Sequence, residues 1–140
     1  MTGAESGLVG IVLVSHSALV AEAVAELARG LAVGGPDAPV APVAAAGGTA
    51  DGGLGTSAER ILTAAREVDR GAGVALLADL GSSVLTVKAL LADDELPPGS
   101  RLVDAPFLEG AVAAVVAASA GVPLPAVESA AADAYAYRKA

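Results

Sequence analysis

The stretch LVGIVLVS at positions 8 to 15 constrains the chain most: it is β-branched, almost wholly apolar, and closes on a polar Ser-His-Ser turn. Such a run is a strand covered on both faces, because a strand with one solvated face would alternate. A strand buried on both sides needs helices over both, so the chain must build a layered α/β unit. From Ala18 the apolar positions Leu19, Val20, Ala23, Val24, Leu27 and Leu31 recur with helical period. They are expected to face inward, with Glu22, Glu26 and Arg29 outward. Gly30 and the Gly34–Gly35 pair close that helix.

The alternation continues. Residues 38–48, APVAPVAAAGG, are extended but carry Pro39 and Pro42, which cannot donate to a central ladder and point to an edge strand. After the glycine-rich residues 47–55, Thr56 or Ser57 caps a helix expected to reach about Arg70, with Ile61, Leu62, Ala65 and Val68 inward. VALLA, Val74 to Ala78, is the next strand, and the helix VLTVKALLA follows the turn ADLGSS. RLVDAP is a short extended piece, LEGAVAAVVAASAG an apolar helix, and Ala126 to Tyr137 a last helix. Strand and helix in strict turn imply right-handed crossovers and a mainly parallel sheet. The fold expected is a single three-layer, doubly wound α/β domain over residues 8–140, preceded by a short polar lead over 1–7. In such sheets functional groups gather outside the carboxyl ends of the strands, where the winding reverses. His16 stands at one such end and Asp79 at another.

Charge and composition exclude several functions. With 16 acidic and 8 basic residues the formal charge is -8, which repels nucleic acid and anionic lipid surfaces. The chain has no cysteine, so a disulfide frame, a thiol nucleophile and a zinc–thiolate cluster are all impossible. MTGAESGLVG does not read as a secretory signal, and the uncharged run Gly110 to Val127 is Ala-Val in character and broken by Pro123 and Pro125. A cytoplasmic location with no membrane segment is expected.

His16 is the only histidine. Metal binding is weakly supported, because only carboxylates remain as further ligands, and no metal or cofactor is expected. Serine hydrolysis is weak too, since Ser15 and Ser17 lack the Gly-x-Ser-x-Gly elbow. A satisfied surface or core histidine is the bland alternative. Attack by the imidazole itself is the chemical one, forming a phosphoramidate that divides a phosphoryl transfer into two steps. One ring nitrogen must then be free while an acceptor holds the other, and Asp79 is the candidate acceptor. Its alternative role is a carboxylate at a helix N-terminus. No lysine or arginine stands near in sequence, so the amides of Gly81, Ser82 and Ser83, helped by those around Ser17, would receive the phosphate. The glycine loop over 47–57 lacks a following Lys-Ser/Thr and is no Walker motif. It is either an ordinary mobile loop or a rim for partners, with Gly55 and Thr56 nearest the site.

The blocks GIVLVSHSALVAEAV, GTSAERI, ADLGSS and APFLEGAVAA, in that order, resemble the mannose-type enzyme IIA domains of the phosphoenolpyruvate-dependent phosphotransferase system. Within that family they are most similar to the phosphotransfer component of dihydroxyacetone kinase. Sugar-transporting relatives carry His-Gly and Gly-Gly-Ser-Pro where this chain has His16-Ser17 and Gly81-Ser82-Ser83-Val84. The resemblance implies sheet order 2-1-3-4, a homodimer, and phosphorylation at Nε2 of His16. It also implies a relay from phosphoenolpyruvate through enzyme I and the phosphocarrier HPr to His16, then to ADP held by a kinase subunit. The regenerated ATP would phosphorylate dihydroxyacetone bound on a third subunit. Some members continue into a phosphocarrier domain; with the sequence ending at Ala140, phosphate is expected from separate proteins. A sugar-permease component and a regulatory module that is phosphorylated without passing phosphate on are the alternatives.

Overall fold

Every residue from Val9 to Ser15 is buried, and the sheet is organised around that run. The computed structural model describes residues 7–140, so the lead expected over 1–7 lies, but for Gly7, outside the described residues. Strand β1, Gly10–Ser15, is followed by helix α1, Ala18–Leu31, and strand β2, Val43–Gly47. Helix α2, Ala58–Val68, leads to strand β3, Val74–Ala78, and helix α3, Gly81–Ala92. Strand β4, Ser100–Leu102, helix α4, Phe107–Ser119, and helix α5, Leu124–Ala132, complete the order, with a 3-10 turn over Asp133–Ala136. The sheet runs β2-β1-β3-β4 with all three pairings parallel, as expected for a doubly wound domain.

Side-chain parity along β1 divides the interior. Ile11 and Leu13 face a core with Ala25 and Ala28 of α1, Ala111, Ala114 and Val115 of α4, and Val127 of α5. Val12 and Val14 face the opposite core, with Ile61 and Ala65 of α2 and Val87 and Leu90 of α3. The three layers are therefore α1, α4 and α5, then the sheet, then α2 and α3.

The expected inward face of α1 is corrected. Ala21, Ala25 and Ala28 are the buried residues, whereas Leu19, Val20, Ala23, Leu27 and Leu31 are exposed and Val24 is half-buried. Apart from Glu22, Glu26 and Arg29 the helix is apolar around most of its circumference, and alanines let its axis approach the sheet where leucines would hold it off.

Other boundaries shift by a few residues. Pro39 and Pro42 precede β2 instead of lying in it, and the Pro42 carbonyl accepts from Ile11 N at 2.9 Å. The strand is an edge all the same. Ser57, not Thr56, caps α2, accepting from Arg60 N at 3.2 Å, and that helix ends at Val68. The last helix begins at Leu124, before the expected Ala126, because Pro125 occupies its first turn, where a missing N–H costs nothing.

Parallel pairing sets Val14 abreast of Ala78, which brings the next residues, Ser15 and Asp79, side by side. The chain leaves β1 one way to β2 and reaches β3 on the other side, so the winding reverses here. Gly47 closes the far flank: a Cβ there would lie 2.5 Å from the Ser17 carbonyl oxygen and 2.7 Å from the Ala18 Cα, so a larger residue would push β2 and α1 apart.

Candidate functional site

Asp79 is the hub of the crevice at the carboxyl ends of β1 and β3. Its Oδ2 accepts from the Ser15 hydroxyl at 2.8 Å and the His16 amide at 3.1 Å. Its Oδ1 accepts from the Leu80 amide at 2.7 Å and the Ser83 hydroxyl at 3.0 Å, and lies 3.0 Å from His16 Nδ1. Burial pushes the Asp79 carboxyl up, but the hydrogen bonds from Ser15, the His16 amide and ring, and Leu80 outweigh it and hold the group at about 2. An ionised carboxylate only accepts, so Nδ1 must carry the proton. The lone pair of the neutral ring then lies on Nε2. That atom meets the Ser82 hydroxyl, which donates to it. The His16 side chain is 25% exposed, so the ring is held by the protein while its outer edge reaches solvent.

Ser82 and Ser83 belong to the first turn of α3. The helix has no side-chain cap, and its first amides, those of Gly81 and Ser82, have no acceptor among the described residues. Such amides, at the positive end of a helix dipole, are where an oxyanion binds. A Cβ placed at Gly81 would meet nothing within 4 Å, so there is open space over this end. Asp79 caps none of the helix-interior amides; Leu80, the residue before the helix, is the one amide of this turn that it accepts from.

The remaining expected residues fall as follows. Thr56 reaches the network through Ser83, Oγ1 to Oγ at 3.1 Å, which aligns a relay of hydroxyls from Thr56 through Ser83 to Asp79. The Gly55 amide donates to the His16 carbonyl at 2.9 Å, tying the glycine loop to the turn that carries the imidazole. Ser17 is committed elsewhere: its hydroxyl accepts from Val20 N at 3.2 Å as the cap of α1, and its amide donates to Ser15 Oγ at 3.1 Å. Ser15, buried to 1% exposure, is the residue that sequence reasoning missed. It links Asp79 to the start of α1. The available signal was a polar residue ending a wholly apolar strand.

The family model EIIA-man, described as the fructose IIA component of the phosphotransferase system, matches residues 10–130. The chain belongs to this mannose-type enzyme IIA family. Among relatives of this enzyme IIA domain, the PEP-dependent dihydroxyacetone kinase phosphoryl donor subunit DhaM of Pantoea ananatis is 34% identical, covering 95% of this chain and 28% of that protein. DhaM of Escherichia coli K12 is 33% identical, over 81% of this chain and 24% of its own length. In Listeria innocua the phosphoryl donor subunit DhaM of dihydroxyacetone kinase 2 is 33% identical, over 78% of this chain and 85% of that one. The enzyme IIA domain thus spans about a quarter of the first two relatives and most of the third. A crystal structure described as unknown function protein EF1359 superposes with a TM-score of 0.74 at 31% identity, over 94% of this chain and 95% of that one. The dihydroxyacetone branch read from the sequence is the branch these relatives represent.

The lowered Asp79 carboxyl gives this enzyme IIA domain an acid sensitivity of definite sign. A carboxylate lowered from 3.8 to about 2 stabilises the fold above its unfolded value, and that stabilisation is lost as pH falls through about 2. The melting temperature is expected to fall between about pH 4 and pH 2 more steeply in the natural chain than in Asp79→Asn, which has no carboxyl to protonate. Parallel slopes in a calorimetric pH series would contradict the assignment.

Proposed function

We propose that this chain is the phosphoryl-carrying component of a phosphoenolpyruvate-dependent dihydroxyacetone kinase, acting in the cytoplasm as a homodimer. It takes a phosphoryl group from phosphorylated HPr onto Nε2 of His16. It then gives that group to ADP bound on a kinase subunit, which serves a dihydroxyacetone-binding subunit. The observation that carries this reading is the imidazole clamped through Nδ1 by Asp79, with Nε2 facing the open N-terminus of α3.

In the accepting step the Nε2 lone pair attacks phosphorus as the donor's P–N bond breaks, and the bonding pair returns to the donor nitrogen. The ring now bears positive charge, and Asp79, already ionised, stabilises it through Nδ1–H without taking the proton. The Ser82 hydroxyl no longer has a lone pair to donate to, so it turns its proton to a phosphoryl oxygen, where the amides of Gly81 and Ser82 also point. In the donating step a β-phosphate oxygen of ADP attacks phosphorus, the P–Nε2 bond breaks, and its electron pair returns to Nε2. No guanidinium clamps the phosphate, which suits a carrier that must release it.

Purified phosphorylated HPr is expected to add one acid-labile, base-stable phosphate to the chain, as a phosphoramidate requires, and chelators or added zinc are expected to leave the transfer rate unchanged. The second expectation rests on ligand supply: one histidine, no cysteine, and no group of three or more metal-binding side chains among the described residues. No described helix is long and apolar enough to cross a membrane. Loss of transfer under chelation, measured by phosphate incorporation with HPr already phosphorylated, would contradict the metal-free step.

A further inference from the structure

Four large apolar side chains, on the segments that carry the site residues, are left uncovered. Leu19 is 83% exposed, Leu54 82%, Leu80 63% and Leu85 67%. Each comes from a different piece of the site's frame. Leu19 lies in the first turn of α1, three residues beyond His16, and Leu54 precedes the glycine whose amide holds the His16 carbonyl. Leu80 donates its own amide to Asp79, and Leu85 stands one turn beyond Ser82 on α3. Folding gains nothing from such exposure, and four leucines on the segments that frame one imidazole are not scattered surface residues.

The same ground is free of charge. Across residues 15–20, 52–58 and 78–87 the only ionisable side chains are His16 and Asp79, in a chain that carries 15 other acidic and 8 basic residues. Charges such as Asp51, Glu59 and Lys88 stand at the margins of these segments, so a partner would meet apolar ground at the centre and charge only at its rim.

Transfer from His16 to another protein's acceptor requires the attacking oxygen to come within about 3–3.5 Å of the phosphorus, so whatever takes the phosphate must lie on this ground. We infer that Leu19, Leu54, Leu80 and Leu85 form an apolar docking collar for the kinase subunit that holds the phosphoryl-accepting nucleoside diphosphate. This inference rests on the carrier reading above. The collar seals the reacting atoms from water while the P–Nε2 bond breaks and the new P–O bond forms, so that the nucleotide and not water receives the group.

The test is single-turnover transfer from the full-length chain, first phosphorylated at His16, to purified kinase subunit carrying ADP, at increasing concentrations of that subunit. The double variant Leu54→Asp/Leu85→Glu is expected to raise the half-saturating concentration at least about tenfold, with the rate at saturation within about threefold of normal. Leu54→Met/Leu85→Met is expected to behave normally. Half-saturation of the natural chain should change less than about threefold between about 50 and 500 mM salt. Normal half-saturation in the Asp/Glu variant, or a tenfold salt effect on the natural chain, would overturn the collar. So would a changed oligomeric state of that variant with normal transfer, which would assign the ring to a second copy. If the natural chain takes no phosphate at His16, the carrier reading itself fails, an outcome distinct from all of these.

Discussion

His16→Gln is expected to take up no phosphate from phosphorylated HPr while keeping its fold. The imidazole is the only ring nitrogen nucleophile available to the proposed chemistry, because the chain holds no second histidine, and a glutamine amide nitrogen has no lone pair free to attack phosphorus. The glutamine can still donate its NH₂ toward Asp79, and the lost side chain stands at a partly exposed strand end and not in either core. Stability should therefore change by no more than about 1 kcal/mol. Phosphate incorporation and thermal unfolding, measured on the same preparation, separate a lost nucleophile from a lost fold. Labelling that persists in His16→Gln would remove His16 from the reaction.

Asp79→Asn is expected to slow phosphorylation of His16 at least about tenfold, roughly 1.4 kcal/mol in the barrier. The carboxylate accepts from Ser15, from the His16 amide and ring, from Leu80 and from Ser83. Asparagine has a single acceptor oxygen, so its NH₂ must face one of these donor groups. If it faces Nδ1, the ring takes the tautomer with its proton on Nε2, where the nucleophile should be. If it faces Ser15 and the His16 amide, two donors lose their partner and a stability loss of about 1–3 kcal/mol follows. Either orientation also removes the negative charge that stabilises the ring once Nε2 bears phosphate. A carboxylate that served only the start of α3 would leave transfer untouched in both Asp79→Asn and Asp79→Ala. Normal single-turnover rates in the two variants would therefore contradict the positioning role.

How much of this was legible in the sequence depends on the range over which each feature is determined. Strand β1 and its terminal His16 were readable because an uninterrupted β-branched run followed by a polar turn is a local signal. Asp79 was readable for the same reason at the end of β3, and the prolines before Val43 marked an edge strand even though they stand outside it. The buried face of α1 was not readable. Leucine and valine define one stripe and alanine another, and only the close approach of the sheet and α4 selects the alanines. Ser15 escaped because its meeting with Asp79 depends on the register between two strands that are far apart in sequence. The contact of Ser82 with Nε2 is likewise a tertiary fact. The exposure of Leu19 was not readable either, because helical periodicity alone points it into the core.

The relay itself is tested most directly by following one phosphoryl group through it. Labelled phosphate on purified HPr should pass to this chain, be found on Nε2 of His16, and then appear as nucleoside triphosphate when the kinase subunit carrying ADP is added. Triphosphate should form in the natural chain and be absent when His16→Gln replaces it. Label that reaches ADP equally well through His16→Gln, or that stays on His16 indefinitely in the presence of the ADP-loaded subunit, would contradict the account.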